Sequence, residues 1–200
     1  MSNIIENRLA DNYFKLLGLP VSFEVDRERL NDNYHDIQKS VHPDNFANTS
    51  DLQRRLSVQK AAQINDALET LKNPLRRSIY LLSLYGIDLN ENDSSIDPAF
   101  LMEQMELREN LSQVGSESDP LAALDNILDD VKSRISQVIG ELSRLFDKLL
   151  PDSSLEPAVQ GPPEEEQLLK EVKVQVLKMQ FLNRLQEECL NKEEDLAEQL

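Results

Sequence analysis

Residues 30–44 read LNDNYHDIQKSVHPD, a pattern that predicts an α-helix followed by a loop. Its apolar residues recur at intervals of four, three and four positions: Leu30, Tyr34, Ile37 and Val41. That spacing predicts one apolar face of an α-helix, and Asp26 ahead of it is a suitable N-cap. Pro43 ends the helix, because the residue before a proline avoids the α region. The triplet His-Pro-Asp therefore lies in a loop.

Helical segments are predicted on both sides of this loop. A short helix at residues 13–17 ends at Gly18-Leu19-Pro20. After the loop, a second apolar stripe has steps of three and four residues: Ala61, Ile64, Leu68 and Leu71. Asn73-Pro74 ends that helix and begins another over residues 75–85, for which Gly86 is a suitable stop. Residues 1–86 are thus predicted to form a small domain, a helical hairpin with flanking helices.

This arrangement resembles a J domain, the module that stimulates ATP hydrolysis by chaperones of the DnaK type. The alternative is a plain turn with a surface histidine. A chance His-Pro-Asp in a chain of this length is on the order of one in a hundred, and the flanking helices make chance rarer still. The resemblance implies a set of residues that contact the ATPase: His42, Pro43 and Asp44, with the basic residues Lys39, Arg27 and Arg29 of the preceding helix.

The second half of the chain is predicted to be a helical bundle. Residues 87–97 are polar and rich in turn formers, which is typical of a linker. Asp97-Pro98 and Asp119-Pro120 each combine a cap residue with a proline at the first helical position. The helix that starts at Pro120 has the strongest periodicity in the sequence, which favours packing at shallow angles.

A proline-rich loop at residues 151–163 precedes the last helix, which we expect from about residue 164 to about residue 190. No β-strand pattern competes in the sequence. The predicted fold class is therefore all-α: an N-terminal J domain, a linker at 87–97 and a C-terminal three-helix bundle over residues 98–200.

The first bundle helix has two apolar faces within residues 99–109, AFLMEQMELRE. At about 100° per residue, one face contains Phe100, Leu107, Leu111 and Val114. The other contains Leu101, Met102 and Met105, flanked by Glu106 and Glu109. Since a bundle helix needs only one buried stripe, the second indicates an exposed, adaptable binding surface. The alternative is that the linker or the J domain covers it.

A J domain followed by AFLMEQMELRE and a helical bundle resembles the HscB family of co-chaperones of iron–sulfur cluster assembly, over about residues 12–190. The resemblance implies that the bundle binds the cluster scaffold IscU and delivers it to the DnaK-type chaperone HscA. It implies these scaffold-binding residues: Leu101, Met102, Met105, Glu106, Glu109 and Phe181. On the last helix Phe181 lies roughly opposite the apolar stripe of residues 168–179, and a second core position is the alternative for this residue.

Charge is divided unevenly along the 200 residues, which carry 21 Lys+Arg and 37 Asp+Glu for a net charge of −16. Residues 1–90 have 11 basic and 12 acidic side chains, whereas residues 91–200 have 10 and 25. An acidic chain lacks the basic stripe that nucleic acid requires, and it is poorly suited to anionic lipid. We therefore expect protein partners, with no nucleic acid and no membrane. The polar start of the chain does not look like a signal peptide.

The sequence points away from catalysis and from a cofactor. His42 has no recognisable Ser or Cys nucleophile, and Cys189 is the only cysteine, too few for a multi-cysteine zinc site. We expect no bound metal, cluster or cofactor, a cytoplasmic location and no enzymatic activity. The alternatives left open are a J-domain co-chaperone for another client and a structural helical adaptor that stimulates no ATPase.

Overall fold

The computed structural model describes residues 12–41, 50–89, 98–150 and 162–198, which contain helices and no strand. The N-terminal part contains four helices: α1 (Tyr13–Leu16), α2 (Arg27–Val41), α3 (Asp51–Lys72) and α4 (Pro74–Leu84). The predicted hairpin of α2 and α3 is present, and these two helices pack against each other.

Side-chain caps explain where these helices begin. Oδ1 of Asp26 accepts hydrogen bonds from the backbone N–H groups of Glu28 and Arg29, at 3.0 and 3.1 Å. Oδ1 of Asn73 accepts from Arg76 N–H at 3.0 Å, with Pro74 at the first helical position. The predicted caps of α2 and α4 are thus confirmed. Gly86 follows α4 with a φ of 77°, a conformation that glycine adopts without strain.

The C-terminal part contains the three predicted long helices: α5 (Pro98–Gln113), α6 (Pro120–Leu149) and α7 (Pro162–Ala197). Asp119 caps α6 by accepting from Ala122 N–H at 3.1 Å. Helix α7 begins two residues before the predicted start, because proline is tolerated in a first turn. It also continues well past the predicted end near residue 190, because the Glu, Lys, Leu and Ala residues of the tail are good helix formers.

The chain divides into two compact units. The first contains the described residues within Met1–Asp88 together with those within Ser143–Leu168, and the second contains those within Leu89–Leu142 and Leu169–Leu200. Helices α6 and α7 therefore each contribute to both units. No helix in the described part of the chain combines the length and apolar character that crossing a membrane requires.

Inside the first unit, two stacked aromatic rings and an arginine connect the end of α6 to the N-terminal part of the chain. The rings of Phe23 and Phe146 stack with their centroids 5.3 Å apart. The guanidinium carbon of Arg77 lies 4.9 Å from the centroid of the Phe23 ring, and the same side chain donates to the Leu71 carbonyl at the end of α3. Burial lowers the pKa of Arg77 to about 10, against the opposing effect of Glu24. The end of α6 is thus part of the N-terminal core.

The second unit has a separate apolar core formed by α5, α6 and α7. Its fully or nearly buried residues come from all three helices: Phe100, Leu107, Leu111, Leu124, Leu128, Val131, Val138, Leu142, Val172, Val176, Met179, Phe181, Leu182, Leu185 and Cys189. On α6 these positions are three, four or seven residues apart, which places them on one face of the helix. The apolar stripe of α6, the helix with the strongest predicted periodicity, is therefore confirmed as a core face.

Candidate functional site

The first candidate site surrounds the loop between α2 and α3. His42, Pro43 and Asp44 lie outside the described residues, and the helices that precede and follow them are α2 and α3. Ser50 begins α3 in a capping box: its Oγ accepts from Gln53 N–H, and Oε1 of Gln53 accepts from Ser50 N–H, each at 3.4 Å. Helix α3 therefore has a defined start close after the loop.

The basic residues predicted to accompany the loop are exposed but lie at opposite ends of α2. Lys39 is in the last turn, three positions from His42, and its Nζ contacts Oδ1 of Asp36 at 3.1 Å. Arg27 and Arg29 are in the first turn. At 1.5 Å of rise per residue, they lie about 15–18 Å along the axis from Lys39. Lys39 is therefore at the end of α2 that precedes the loop in sequence, and the two arginines are at the other end of the helix.

A surface beside the same loop was missed by the sequence reasoning. Leu52, Leu56 and Val58 on α3 are large apolar side chains that are exposed. A shallow depression next to them is lined in part by Arg54 and Arg55. The buried positions of α3 are Ser57, Ile64, Ala67 and Leu71. At about 100° per residue, Val58 lies far from these positions, and that signal was available in the sequence. Leu56 falls within about 20° of Ala67 on the same wheel, so periodicity alone did not predict its exposure.

The second candidate site is the exposed face of α5. Phe100, Leu107 and Leu111 are buried, as predicted, and so is Val114 in the turn that follows. On the other face, the exposed fractions of Leu101, Met102 and Met105 are 46%, 65% and 72%. We call these three residues the α5 patch. A binding surface is expected to be exposed in this way. If the patch were covered, these three side chains would be buried.

Two carboxylates flank the α5 patch. Glu106 and Glu109 are both exposed, and Oε1 of Glu109 accepts a hydrogen bond from Nε2 of Gln113 at 3.2 Å. Glu106 is four residues after Met102, and Glu109 is four residues after Met105, so each acid is the helical neighbour of one methionine. The site thus combines an apolar centre with an acidic edge.

Phe181 lies in the core, where 8% of its surface is exposed. Its ring meets that of Phe100 edge to face, with centroids 5.8 Å apart and planes at 87°. The guanidinium carbon of Arg108 lies 5.3 Å from the centre of the same ring. Of the six residues predicted to bind the scaffold, five are exposed on α5, and Phe181 packs against the buried face of that helix.

Ion pairs hold α5 against both neighbouring helices. Nη2 of Arg108 lies 3.1 Å from Oε1 of Glu188 on α7. Arg134 on α6 pairs with Glu103 on α5 and, at 2.8 Å, with Asp130 on its own helix. Burial lowers the pKa of Arg134, but its hydrogen bonds to Asp130 and Glu103 outweigh that effect and raise the pKa overall. Helix α5 therefore has specific charged partners on both α6 and α7.

Cys189 is fully buried. Burial, followed by the negative charge of Glu188, raises the pKa of its thiol, which keeps it protonated and unreactive. Across residues 12–41, 50–89, 98–150 and 162–198, no three His, Cys, Asp or Glu side chains are grouped so that they could hold a metal ion.

Comparison with known proteins identifies similar sequences. Residues 96–189 match the family model described as the HSCB C-terminal oligomerisation domain. The "Co-chaperone protein HscB homolog" of Aliivibrio salmonicida is 40% identical over 92% of this chain and 98% of its own length. The protein of the same name from Vibrio cholerae serotype O1 is 56% identical over 114 residues, which are 56% of this chain and 67% of that protein.

Solved structures agree with these sequence matches. The chaperone HscB from Vibrio cholerae superposes with a TM-score of 0.76 at 40% identity, covering 93% of this chain and 99% of that one. The human co-chaperone protein HscB superposes with a TM-score of 0.75 at 31% identity, covering 91% of this chain and 82% of that one. The similarity thus includes both the N-terminal helices and the bundle.

Proposed function

Because this chain belongs to the HscB family of co-chaperones, we propose that it is an adaptor between two proteins of iron–sulfur cluster assembly. One is the DnaK-type chaperone HscA, whose ATPase it stimulates. The other is the scaffold IscU, which it delivers to that chaperone. The adaptor has no catalytic activity of its own, works in the cytoplasm and needs no cofactor. Binding both proteins at once raises the local concentration of scaffold at the chaperone.

The α5 patch is the observation that carries this proposal. Three adjacent apolar side chains are exposed on a helix whose opposite face is already buried in a core. Exposed apolar surface of this kind is typical of a protein-binding site. The two methionines add adaptability, because the thioether side chain is flexible and polarisable. Glu106 and Glu109 at its edge favour a scaffold surface with apolar and basic residues.

Phe181 contributes to scaffold binding mainly from within the bundle. Its ring packs against Phe100, the residue that directly precedes Leu101 of the patch. We propose that Phe181 holds this turn of α5 in place and that only its small exposed edge meets the scaffold. The Arg108 guanidinium over the ring and its ion pair with Glu188 support that arrangement.

The ATPase-binding site is proposed at His42, Pro43 and Asp44, with Lys39 next to them. A loop between two packed helices loses little conformational entropy on docking. Arg27 and Arg29 are at the other end of α2. Their role would be to attract an acidic chaperone surface at long range, and they would not take part in the contacts made next to the loop. Leu52 and Leu56 on α3 provide additional apolar surface on the other side of the loop.

Calorimetric titration of IscU into the full chain tests the scaffold site. We expect Leu101→Ser, Met102→Ser and Met105→Ser together to weaken binding about a hundredfold or more, since three apolar side chains lose their contact. Leu190→Ser is the matched control, because Leu190 is a comparably exposed apolar residue of the bundle, 45% exposed. Equal affinity of the triple variant and the control would contradict the assignment.

Stimulation of HscA tests the ATPase site. His42→Gln should abolish stimulation and leave IscU binding intact. His35→Gln is the control, since His35 is the other histidine of the chain, is exposed on α2 and lies seven positions before the loop residue. If His35→Gln and His42→Gln stimulate HscA equally well, the loop is not the ATPase site. Capture of another client in place of IscU would identify a co-chaperone with a different cargo.

A further inference from the structure

The described methionines fall into two classes of exposure. Met102 and Met105 in the α5 patch are 65% and 72% exposed, whereas Met179 in the core of the same unit is 2% exposed. Met102 and Met105 are three residues apart, so their side chains are neighbours on one face of α5. Both thioether groups are therefore open to reagents in water, and the third is shielded by packing.

We propose that Met102 and Met105 form a reversible oxidation site and that their oxidation by a peroxide releases the scaffold. This inference rests on the proposed function of the α5 patch. The thioether sulfur attacks one oxygen of the peroxide, the O–O bond breaks, and a sulfoxide and water are formed when the oxidant is hydrogen peroxide. The sulfur loses two electrons and the peroxide gains them. Methionine sulfoxide reductases catalyse the reversal.

The expected effect follows from the polarity of the product. A sulfoxide oxygen is a strong hydrogen-bond acceptor on a side chain that had been apolar. The side chains three and four positions from Met102 are those of Pro98, Ala99, Met105 and Glu106, and none of them is a basic or amide donor. Arg108, three positions after Met105, already contacts Glu188. In the free protein, water satisfies the new oxygen. In the complex, that water must be lost, and binding weakens unless a partner donor replaces it.

The fold should survive this modification. The buried face of α5 contains Phe100, Leu107 and Leu111 and no methionine, so an oxygen added to Met102 or Met105 places no polar group in the core. Oxidation of Met179 would behave differently, because a polar oxygen in the core disrupts packing. If scaffold binding is lost while the protein stays folded, the oxidised residues are therefore Met102 and Met105 and not Met179.

The experiment treats the full chain with hydrogen peroxide, removes the oxidant before IscU is added, and maps oxygen addition by peptide mass spectrometry. We expect Met102 and Met105 to gain one oxygen each well before Met179, with unchanged helical circular dichroism. Affinity for IscU should fall about tenfold or more, and treatment with methionine sulfoxide reductases A and B should restore it. Stimulation of HscA measured without IscU should not change.

Each variant is compared with its own untreated form, so that a change in starting affinity does not matter. For Met102→Leu with Met105→Leu, the ratio of treated to untreated affinity should stay near one. For Met179→Leu, it should fall as in the parent chain. The inference would be overturned if Met179 were oxidised before Met102 and Met105. It would also be overturned if the chain with both patch sulfoxides bound IscU as tightly as the untreated chain. Neither result would affect the proposed function. Absence of IscU binding by the untreated chain would instead overturn the proposed function on which it rests.

Discussion

The guanidinium carbon of Arg108 lies 5.3 Å from the centre of the Phe181 ring, and its Nη2 atom lies 3.1 Å from Glu188 on the same helix as that ring. One side chain of α5 therefore makes a cation–π contact and an ion pair to α7 at once. The Phe181 ring in turn meets Phe100 of α5 edge to face. The helix that exposes the α5 patch is thus attached to its neighbour by a cation, a carboxylate and two aromatic rings.

Replacement of Phe181 by alanine should lower the free energy of unfolding by about 3–5 kcal/mol, because it leaves a cavity in the core. Replacement of exposed Met105 by alanine should change it by less than about 0.5 kcal/mol. Urea denaturation followed by circular dichroism measures both. If the Phe181 variant is as stable as the Met105 variant, Phe181 does not support α5 from within the bundle.

The contact between Arg108 and Glu188 should be weak and sensitive to salt, since both side chains are about half exposed. A double-mutant cycle with Arg108→Ala and Glu188→Ala should give a coupling free energy of about 0.2–1 kcal/mol. The coupling should shrink at 1 M NaCl, where the Debye length is about 3 Å. A coupling free energy that did not change with salt would show that the pair is not held together by electrostatic attraction between solvent-exposed charges.

Tyr85 should make the first unit sensitive to alkali. Burial, and then the charge of Glu165, raises its pKa above the ordinary value of 10.0. Above pH 10 the unfolded chain loses the phenol proton while the folded chain keeps it, so stability falls as the pH rises. The fall attributable to this residue should approach about 1.4 kcal/mol per pH unit.

Urea denaturation of the parent chain and of Tyr85→Phe from pH 9 to pH 12 measures this effect. The variant also loses the hydrogen bond from the Tyr85 hydroxyl to the Leu149 carbonyl, so the comparison concerns the slopes and not the absolute stabilities. The slope of the variant should be shallower above pH 10. Parallel slopes would mean that Tyr85 ionises as readily in the folded state as in the unfolded one.

Local signals in the sequence predicted most of the helices and the exposed apolar face of α5. The caps at Asp26, Asn73 and Asp119 are present because a short polar side chain before a helix satisfies free N–H groups whatever surrounds it. The two faces of α5 also followed from the helical wheel. Since Phe100 and Leu107 lie on the stripe that meets the core, Met102 and Met105 had to point away from it.

Other features depend on tertiary packing. The buried face of α7 changes along its length, from Val172 and Val176 to Phe181 and Leu185. Extending the apolar stripe from the first half of the helix therefore placed Phe181 on the side opposite the core, although the residue is buried. The stacking of Phe146 on Phe23 joins positions 123 residues apart, and no periodicity encodes it. The membership of the described residues within 143–168 in the first unit follows from such contacts and not from any local boundary signal.

The ATPase site and the scaffold site are proposed to be separate surfaces of one chain. The most direct test of this separation measures HscA ATPase activity, with and without IscU, in the presence of the chain carrying Leu101→Ser, Met102→Ser and Met105→Ser. We expect full stimulation in the absence of IscU and loss of the further increase that IscU brings. An IscU-dependent increase equal to that of the parent chain would contradict the assignment of the scaffold site to the α5 patch.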